Sequence, residues 1–127
     1  MGHRHELRVR YAECDMQGVV FNSHYLAYVD DAMSGWLRTV GWPYPAQGWD
    51  FMVRHAEVDW HAAAGYGDVI TIDATAERWG TTSFVVRYVL AVEGRAIVEA
   101  RLTYVGVDPG TGVKAEVPAG FRAALGA

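Results

Sequence analysis

The sequence predicts an α+β domain in which one long helix packs on one antiparallel sheet. Apolar residues recur every three or four positions over residues 23–40, whereas most other long segments alternate apolar with polar residues. The order is one strand, the long helix and then about four strands, which favours a single helix covered by a single sheet. The 127 residues suit one domain with its own core, so we assign residues 1–127 to a single domain.

The first predicted strand covers residues 7–12, where apolar residues occupy alternate positions. The residues before it, including His3 and His5, are expected to form a disordered terminus. An irregular loop is predicted from Glu13 to Phe21.

The long helix is predicted for residues 23–40 and spans about five turns. Its apolar stripe consists of Tyr25, Val29, Ala32, Trp36 and Val40. Asn22 and Ser23 both suit the N-cap position. Gly41 followed by Pro43 predicts the end of the helix.

The remaining chain is predicted to be mostly strand. Alternation indicates strands over residues 51–60, 68–79, 82–92 and 96–107. A loop is expected at Tyr44–Asp50, a tight turn at Glu93–Arg95, and Val113–Val117 fits a short extra strand. Pro118 would open a short terminal helix. Because both faces of the 82–92 strand are mostly apolar, we infer that a second copy covers part of the sheet.

Composition argues against several classes of protein. The net charge of −4 and the scattered basic residues lack the footprint of a nucleic-acid-binding protein. Cys14 is the one cysteine, so an internal disulfide and metal sites of the CxxC kind are not expected. No apolar run reaches membrane-spanning length and the first ten residues do not read as a signal peptide. We therefore expect a cytoplasmic protein without membrane insertion.

One cluster of polar side chains imitates a metal site. His55, Glu57, Asp59 and His61 would share one face of the 51–60 strand and its continuation. Four ligands spread along one strand lie too far apart to converge on one ion, so no metal site is expected.

The segment CDMQG before the helix joins a carboxylate to a flexible turn. Gly18 allows a tight turn three residues after Asp15. The first turn of a helix has unpaired N–H groups that favour a developing negative charge. A nearby carboxylate could act as a nucleophile or a general base there. An aspartate before a helix is more often only a turn or capping residue, and the residues alone leave both readings open.

Three segments carry a resemblance to a known family. The first has the family's residue types at Asp15, Gly18, Val20, Phe21, Asn22 and Tyr25. The second and third are AEVDWHAAAGYGDVITI (56–72) and RWGTTSFVVRY (78–88). On these segments the chain resembles the hotdog-fold acyl-CoA thioesterases of the 4-hydroxybenzoyl-CoA thioesterase family. Many relatives read His-x-Asn-Tyr where this chain has Asn22-Ser23-His24-Tyr25, so no role that needs an imidazole at position 22 is carried over.

The resemblance implies a hotdog fold and hydrolysis of a small acyl- or aryl-CoA thioester. Asp15 would be the nucleophile or general base, the backbone N–H of Asn22 would hold the oxyanion, and Gly18 would shape the loop. The residues implied to contact the substrate are Phe21, His24, Tyr25, Gly80, Thr82 and Ser83. Arg78 or Arg87 could meet a phosphate.

The family also implies partners and an assembly. The acyl group would arrive on coenzyme A or on acyl carrier protein, and no cofactor is needed because coenzyme A is part of the substrate. The expected assembly is a dimer with sheets joined edge to edge, or a homotetramer built as a dimer of dimers, with active sites at the subunit boundary.

Two alternatives remain open from the sequence. One is a hydratase or dehydratase of acyl thioesters, which would need a histidine to move protons; in residues 12–25 only His24 could serve. The other is a non-catalytic acyl-CoA-binding protein, which would normally carry an effector domain as well.

Overall fold

The computed structural model describes residues 2–43 and 48–126 and confirms the α+β architecture. Its main elements are β1 (Gly2–Arg8), α1 (His24–Val40), β2 (Asp50–Trp60), β3 (Val69–Trp79), β4 (Ser83–Val92), β5 (Arg95–Val107) and α2 (Ala119–Ala124). The strands form one sheet in the order β1-β3-β4-β5-β2, and every neighbouring pair is antiparallel. The edges of the sheet are therefore β1 and β2.

The core lies between α1 and the inner face of the sheet. The predicted alternation of β3 is confirmed, since Ile70, Ile72 and Ala74 are at most 1% exposed. On α1, Val29 and Ala32 are fully buried. Burying one large apolar side chain contributes about 1.5–3 kcal/mol, so this stripe fixes where the helix lies. No helix of residues 2–43 and 48–126 is long and apolar enough to cross a membrane.

The two ends of α1 differ. At the C-terminal end Gly41 has a φ of 73°, its N–H donates to the carbonyls of Arg38 and Leu37, and the N–H of Trp42 donates to Leu37. This is the glycine cap that the sequence predicted. At the N-terminal end Ser23 takes the cap position, but its side chain makes no capping hydrogen bond. The first N–H groups of the helix are therefore not paired by a cap.

The prediction for the N-terminal segment was wrong. The strand is Gly2–Arg8 rather than 7–12, and residues 11–13 form a single 3-10 turn. His3 and His5 are not a disordered terminus, because both pair with β3. The ring of His3 stacks on Trp36 of α1 at 6.2 Å. Histidine rings here take the inward positions that aliphatic residues usually occupy, which is why alternation in apolar residues did not reveal the strand.

The C-terminal segment also differs in part. Residues 113–117 form no strand and make a single bridge between Lys114 and Val107. Pro118 is the N-cap of α2 rather than its first residue. Of the predicted loop at 44–50, residues 44–47 lie outside the described residues. Phe121 of α2 is fully buried among aromatic rings, including Trp49 at 4.9 Å.

Gly106 of β5 lies where the chain leaves no room for a side chain. A Cβ there would lie 2.5 Å from the carbonyl oxygen of Ala115 and 2.5 Å from Nε1 of Trp49. We expect Gly106→Ala to lower the free energy of unfolding by about 1–3 kcal/mol, because overpacking displaces backbone. The control is Gly120→Ala, whose Cβ would meet only Trp42, at an ordinary 3.7 Å. Urea denaturation of both variants tests this, and equal midpoints would contradict the close packing.

Candidate active site

The segment between β1 and α1 folds into a small hairpin. The N–H of Asp15 donates to Val19 at 2.9 Å, and the N–H of Gly18 donates back to Asp15 at 3.0 Å. Gly18 has a φ of 80°, a conformation that glycine adopts without strain. Cys14 and Val20 form the next bridge of the hairpin. The turn predicted from CDMQG is therefore present, with Asp15 at its first position.

The two oxygens of the Asp15 carboxylate differ in their hydrogen bonding. Its Oδ1 accepts the N–H of Gln17 at 2.8 Å, which is the turn role that the sequence left open. Within the described part of the chain no hydrogen bond reaches Oδ2, and the residue is half-exposed. One oxygen thus orients the group while the other is available to a substrate.

The hairpin leads directly into the uncapped start of α1. The N–H of Phe21 donates to Glu13 at 3.0 Å, and the N–H of His24 donates to Phe21 at 2.9 Å. Among residues 2–43 and 48–126, no acceptor is found for the N–H of Asn22. This N–H lies at the positive end of a 17-residue helix. It is therefore a donor without an acceptor directly after the hairpin that carries Asp15.

Hydrogen bonds from Tyr28 and Arg10 to the carboxylate of Glu13 hold the hairpin against α1. The hydroxyl of Tyr28 donates to Oε1 of Glu13 at 2.8 Å, and the N–H and guanidinium of Arg10 donate to the same carboxylate. Burial acts to raise the pKa of Glu13, but these hydrogen bonds outweigh it and hold the pKa below its usual range. Burial and the contact with Glu13 raise the pKa of Tyr28 well above its usual value. Neither residue was singled out from the sequence.

A second tyrosine ties the site to the loop before β3. Tyr25 is 2% exposed, and its hydroxyl accepts the buried N–H of Ala64 at 3.0 Å. The N–H of Val20 in turn donates to the carbonyl of Ala64 at 2.9 Å. Within one chain Tyr25 therefore contacts protein rather than solvent. The residue was predicted to contact the substrate, and here it positions the hairpin.

Two other predicted residues stand at the mouth of the site. Phe21 is 46% exposed and packs edge-on against the half-buried ring of His24, with centroids 6.2 Å apart. The indole N–H of Trp60, at the end of β2, donates to the carbonyl of Asn22 at 3.3 Å. Trp60, which sequence reasoning did not assign to the site, fixes the edge of the sheet beside the helix start.

The remaining predicted residues lie elsewhere in the chain. Gly80, Thr82 and Ser83 form the turn between β3 and β4, closed by the N–H of Gly80 donating to Ser83 at 2.7 Å. The hairpin of Asp15 adjoins the opposite end of β3, where the N–H of Val9 donates to Asp68. A strand of 11 residues is about 35 Å long. One chain alone does not bring this turn to Asp15.

The side chains of the described residues do not converge on a metal. No group of three or more His, Cys, Asp or Glu side chains within residues 2–43 and 48–126 could hold an ion. The strand cluster that imitated a metal site resolves into separate pairs: His55 lies 3.8 Å from Glu57, and His61 lies 3.1 Å from Glu99.

Comparison with known proteins identifies the family and the fold of the chain. The model of the thioesterase-like superfamily matches residues 9–125. A protein of Aquifex aeolicus (strain VF5), named provisionally as an esterase, is 27% identical over 106 residues, which cover 81% of this chain and 83% of that protein.

Two solved structures are similar over almost the whole chain. One is a 1,4-dihydroxy-2-naphthoyl-CoA thioesterase from Synechocystis, with a TM-score of 0.89 and 21% identity over 98% of this chain and 96% of that one. The other is a mutant 4-hydroxybenzoyl-CoA thioesterase in complex with 4-hydroxybenzoyl-CoA, with a TM-score of 0.90 and 20% identity over 98% of both chains. These structures confirm the hotdog fold that the sequence resemblance implied.

The hydrogen bond from Tyr28 to Glu13 leads to a prediction about how the free energy of unfolding depends on pH. Because the folded state depresses the pKa of Glu13, its contribution to stability is present above the unfolded pKa of about 4.3 and is lost as pH falls through the folded pKa. Tyr28→Phe should lower the free energy of unfolding by about 1–2 kcal/mol at pH 7. The gap to wild type should narrow below about pH 4.

Urea denaturation at pH 7 and at about pH 3.5 tests this prediction. Tyr66→Phe is the matched control, since Tyr66 is 70% exposed and its hydroxyl has no hydrogen bond within the described ranges. A gap between Tyr28→Phe and wild type that is equally large at both pH values would show that the charge of Glu13 is not involved.

Proposed function

We propose that this chain, which belongs to the thioesterase-like superfamily, hydrolyses a small acyl- or aryl-CoA thioester to the free acid and coenzyme A. The observation that carries the proposal is that the hairpin bearing the half-free carboxylate of Asp15 leads directly into a helix start where the N–H of Asn22 has no acceptor among the described residues. Two structurally similar proteins are named as thioesterases of aromatic acyl-CoA compounds, which supports the substrate class.

The reaction needs an oxyanion to be held while the carbon–sulfur bond breaks. In the proposed geometry the thioester carbonyl oxygen accepts the N–H of Asn22, and the positive end of α1 stabilises the charge that develops on that oxygen. Removing one such donor from an enzyme typically costs about 100- to 1000-fold in rate. The N–H of Asn22 lies just before this helix start and has no acceptor among the described residues, so it suits this role.

In the proposed hydrolysis the carboxylate of Asp15 can act by either of two routes. As a nucleophile, its carboxylate attacks the carbonyl carbon, the carbon–sulfur bond breaks, and coenzyme A leaves as a thiolate; water then hydrolyses the mixed anhydride and regenerates the carboxylate. As a general base, it takes a proton from water that attacks the same carbon, and this proton passes to the departing thiolate. The free Oδ2 suits both routes.

The surrounding residues have supporting roles in this proposal. Gly18 keeps the turn tight, and Phe21 with His24 forms the wall that an entering acyl group meets. Tyr25 and Tyr28 act from the buried side by holding the hairpin to Ala64 and Glu13. The ring of His24 packs against Phe21 and forms no side-chain hydrogen bond or ion pair among the described residues, whereas a hydratase would need a histidine oriented for proton transfer.

The proposal includes a dimer joined through β2. Within the part of the chain that the structure describes, this edge strand has no neighbour on its outer side. It exposes Met52 at 59%, Val53 at 50% and Trp60 at 51%. Unpaired edges of this kind invite pairing with a second strand. In an antiparallel pairing of two β2 edges, residues 51–54 of one copy approach Trp60 of the other. The turn at Gly80–Ser83 of the second copy then moves toward Asp15 of the first.

Asp15→Asn is the direct test of the proposed chemistry. It keeps the size of the side chain and its turn hydrogen bond but removes the nucleophile or base, so we expect kcat for thioester hydrolysis to fall by at least about 100-fold. Thiol release from a panel of short, medium, branched and aryl-CoA compounds measures it. The control is Glu116→Gln, an exposed carboxylate with no polar contact among the described residues.

The outcomes of this test distinguish thioester hydrolysis through Asp15 from the alternative functions. Loss of turnover in Asp15→Asn, with unchanged binding of acyl-CoA, supports the proposal and identifies the acyl class. Turnover by Asp15→Asn within about twofold of wild type would remove Asp15 from the chemistry. A wild-type protein that binds acyl-CoA but releases no thiol would point to the hydratase or the non-catalytic binding protein.

The proposed dimer can be tested by measuring mass and specific activity at different protein concentrations. We expect the protein to sediment at twice the mass of the chain, and Val53→Arg to shift it toward the monomer because charge on an edge opposes strand pairing. If active sites lie at the subunit boundary, specific activity should fall in parallel with the dimer fraction. Full activity in a monomer would contradict a shared site.

A further inference from the structure

The inner face of β1 presents two histidines to α1. His3 and His5 are two positions apart in the strand, and their ring centroids lie 6.1 Å apart. The ring of His3 is stacked on Trp36 of α1 with an angle of 9° between the two planes. Their partners on β3 are the apolar residues Ala74 and Ile72. Two titratable rings therefore occupy a place between strand and helix where aliphatic side chains usually pack.

Gly35 of α1 makes room for both rings. A Cβ at this position would lie 2.8 Å from Nδ1 of His5 and 3.4 Å from Nε2 of His3. The first distance is too short for a carbon–nitrogen contact, so a larger residue would push β1 away from the helix. Ring nitrogens of two different histidines therefore lie against the same bare stretch of α1.

The two rings differ in their hydrogen bonding. Nε2 of His5 lies 2.7 Å from Oδ2 of Asp31, so a proton on this nitrogen has a carboxylate acceptor. Nε2 of His3 is buried and has no hydrogen-bond partner among residues 2–43 and 48–126. Burying an unpaired charged group costs far more than burying an unpaired neutral one. The surroundings of His3 therefore suit the uncharged ring.

Positive groups oppose the protonation of His3. On its own strand it faces the ring of His5, and on α1 it faces the guanidinium of Arg38. Burial has the largest effect, and both of these groups add to it, so the pKa of His3 lies below its usual value. This histidine therefore takes up a proton less readily in the folded protein than in an opened strand.

The acidic groups of the surrounding elements do not compensate for this. Asp31 on α1 is hydrogen-bonded to the other histidine. Glu6 and Arg4 alternate with the histidines on β1 and belong to its outer face, where Arg4 pairs with Asp73 of β3 at 2.8 Å. In the described part of the chain, no carboxylate forms an ion pair with His3. Its protonated form is therefore stabilised by none of the three elements that surround it.

We propose that His3 makes the attachment of β1 to α1 sensitive to pH. The neutral ring packs on Trp36 and holds the strand, whereas the protonated ring leaves its buried place and β1 opens locally. Because β1 is an edge strand that pairs only with β3, it can open while the rest of the sheet stays folded. The change is reversible, since it consists of the uptake of one proton and breaks no covalent bond.

Opening of β1 would reach the hairpin that carries Asp15. Two residues separate β1 from the 3-10 turn that contains Glu13, the acceptor of the Tyr28 hydroxyl. Between them, the N–H of Val9 donates to the carbonyl of Asp68 at 2.8 Å. Release of β1 removes one of the anchors of this segment. The effect on thioester hydrolysis rests on the proposed function, whereas the effect of pH on β1 does not.

The direction of the pKa shift gives the pH range. In the opened strand the histidine has a pKa of about 6.5, and in the closed strand its pKa is lower. The attachment is therefore complete above about pH 6.5 and weakens as pH falls toward the pKa of the closed state. Uptake of one proton raises the opening equilibrium by up to about tenfold per pH unit. Glu13, whose pKa is held below its usual range, titrates below this range of pH.

Hydrogen exchange of the hydrogen-bonded β1 amides, corrected for the intrinsic rate at each pH, measures this opening. In the wild type we expect their protection to fall by about 5- to 10-fold per pH unit between about pH 6.5 and 5, while the amides of β4 stay protected. His3→Phe keeps a ring on Trp36 but takes up no proton, so its β1 protection should not depend on pH. The control is His55→Phe, at an exposed histidine of β2, which should behave as the wild type.

Two changes of charge test the same proposal without altering His3. Arg38→Gln removes a positive group that opposes protonation, so the dependence on pH should weaken. Asp31→Asn removes the carboxylate beside His5, so a second proton is taken up on opening and the dependence should steepen toward about 100-fold per pH unit. Slopes equal to wild type in both variants would overturn the proposal. So would β1 protection in His3→Phe that falls as steeply as in the wild type.

Activity keeps this proposal distinct from the proposed function. We expect kcat/KM for acyl-CoA hydrolysis to fall in parallel with the closed fraction of β1, and His3→Phe to abolish that fall. Full activity at a pH where exchange shows β1 mostly open would overturn the link to the hairpin. If the wild type hydrolyses nothing but β1 exchange depends on His3, the proposed function fails and the pH-sensitive attachment stands. If it hydrolyses thioesters but β1 protection does not depend on pH, the attachment proposal is wrong.

Discussion

The structure depends on how the buried stripe of α1 packs against the inner face of the sheet. Val29 and Ala32 are fully buried there, so the helix cannot slide or rotate without opening the core. That fixed helix presents Tyr25 and Tyr28 on its first turns, and their hydroxyls hold Ala64 and Glu13. Core packing thus determines the position of the hairpin that carries Asp15, and it stabilises a helix start whose missing cap would otherwise cost about 1 kcal/mol.

Much of the architecture could be predicted because the apolar residues recur with the period of a helix or of a strand. The helix period over 23–40, the glycine at 41 and the period-two strands after residue 50 all correspond to observed elements. The first strand was missed because His3 and His5 occupy its inward positions. The segment 113–117 has strand-like composition but only one bridge to β5. Tertiary packing, rather than local preference, decides both cases.

The residues of the candidate site also fall into two groups: those that a local motif predicts and those that only the tertiary structure brings together. Asp15, Gly18 and Asn22 are neighbours in sequence, so one motif indicated all three. The contacts of Tyr28 with Glu13 and of Trp60 with Asn22 join residues 15 and 38 positions apart, and no local pattern encodes them.

The helix start offers the proposed substrate a positive charge that is fixed in place. At the helix start the charge comes from backbone dipoles, which are fixed in place and need no reorganisation when an oxyanion forms. The edge strand β2 lies beside this helix start, since the indole N–H of Trp60 donates to the carbonyl of Asn22. In the proposed dimer a second copy would pair with this edge, and the interface would then be linked through Trp60 to the helix start that holds the oxyanion.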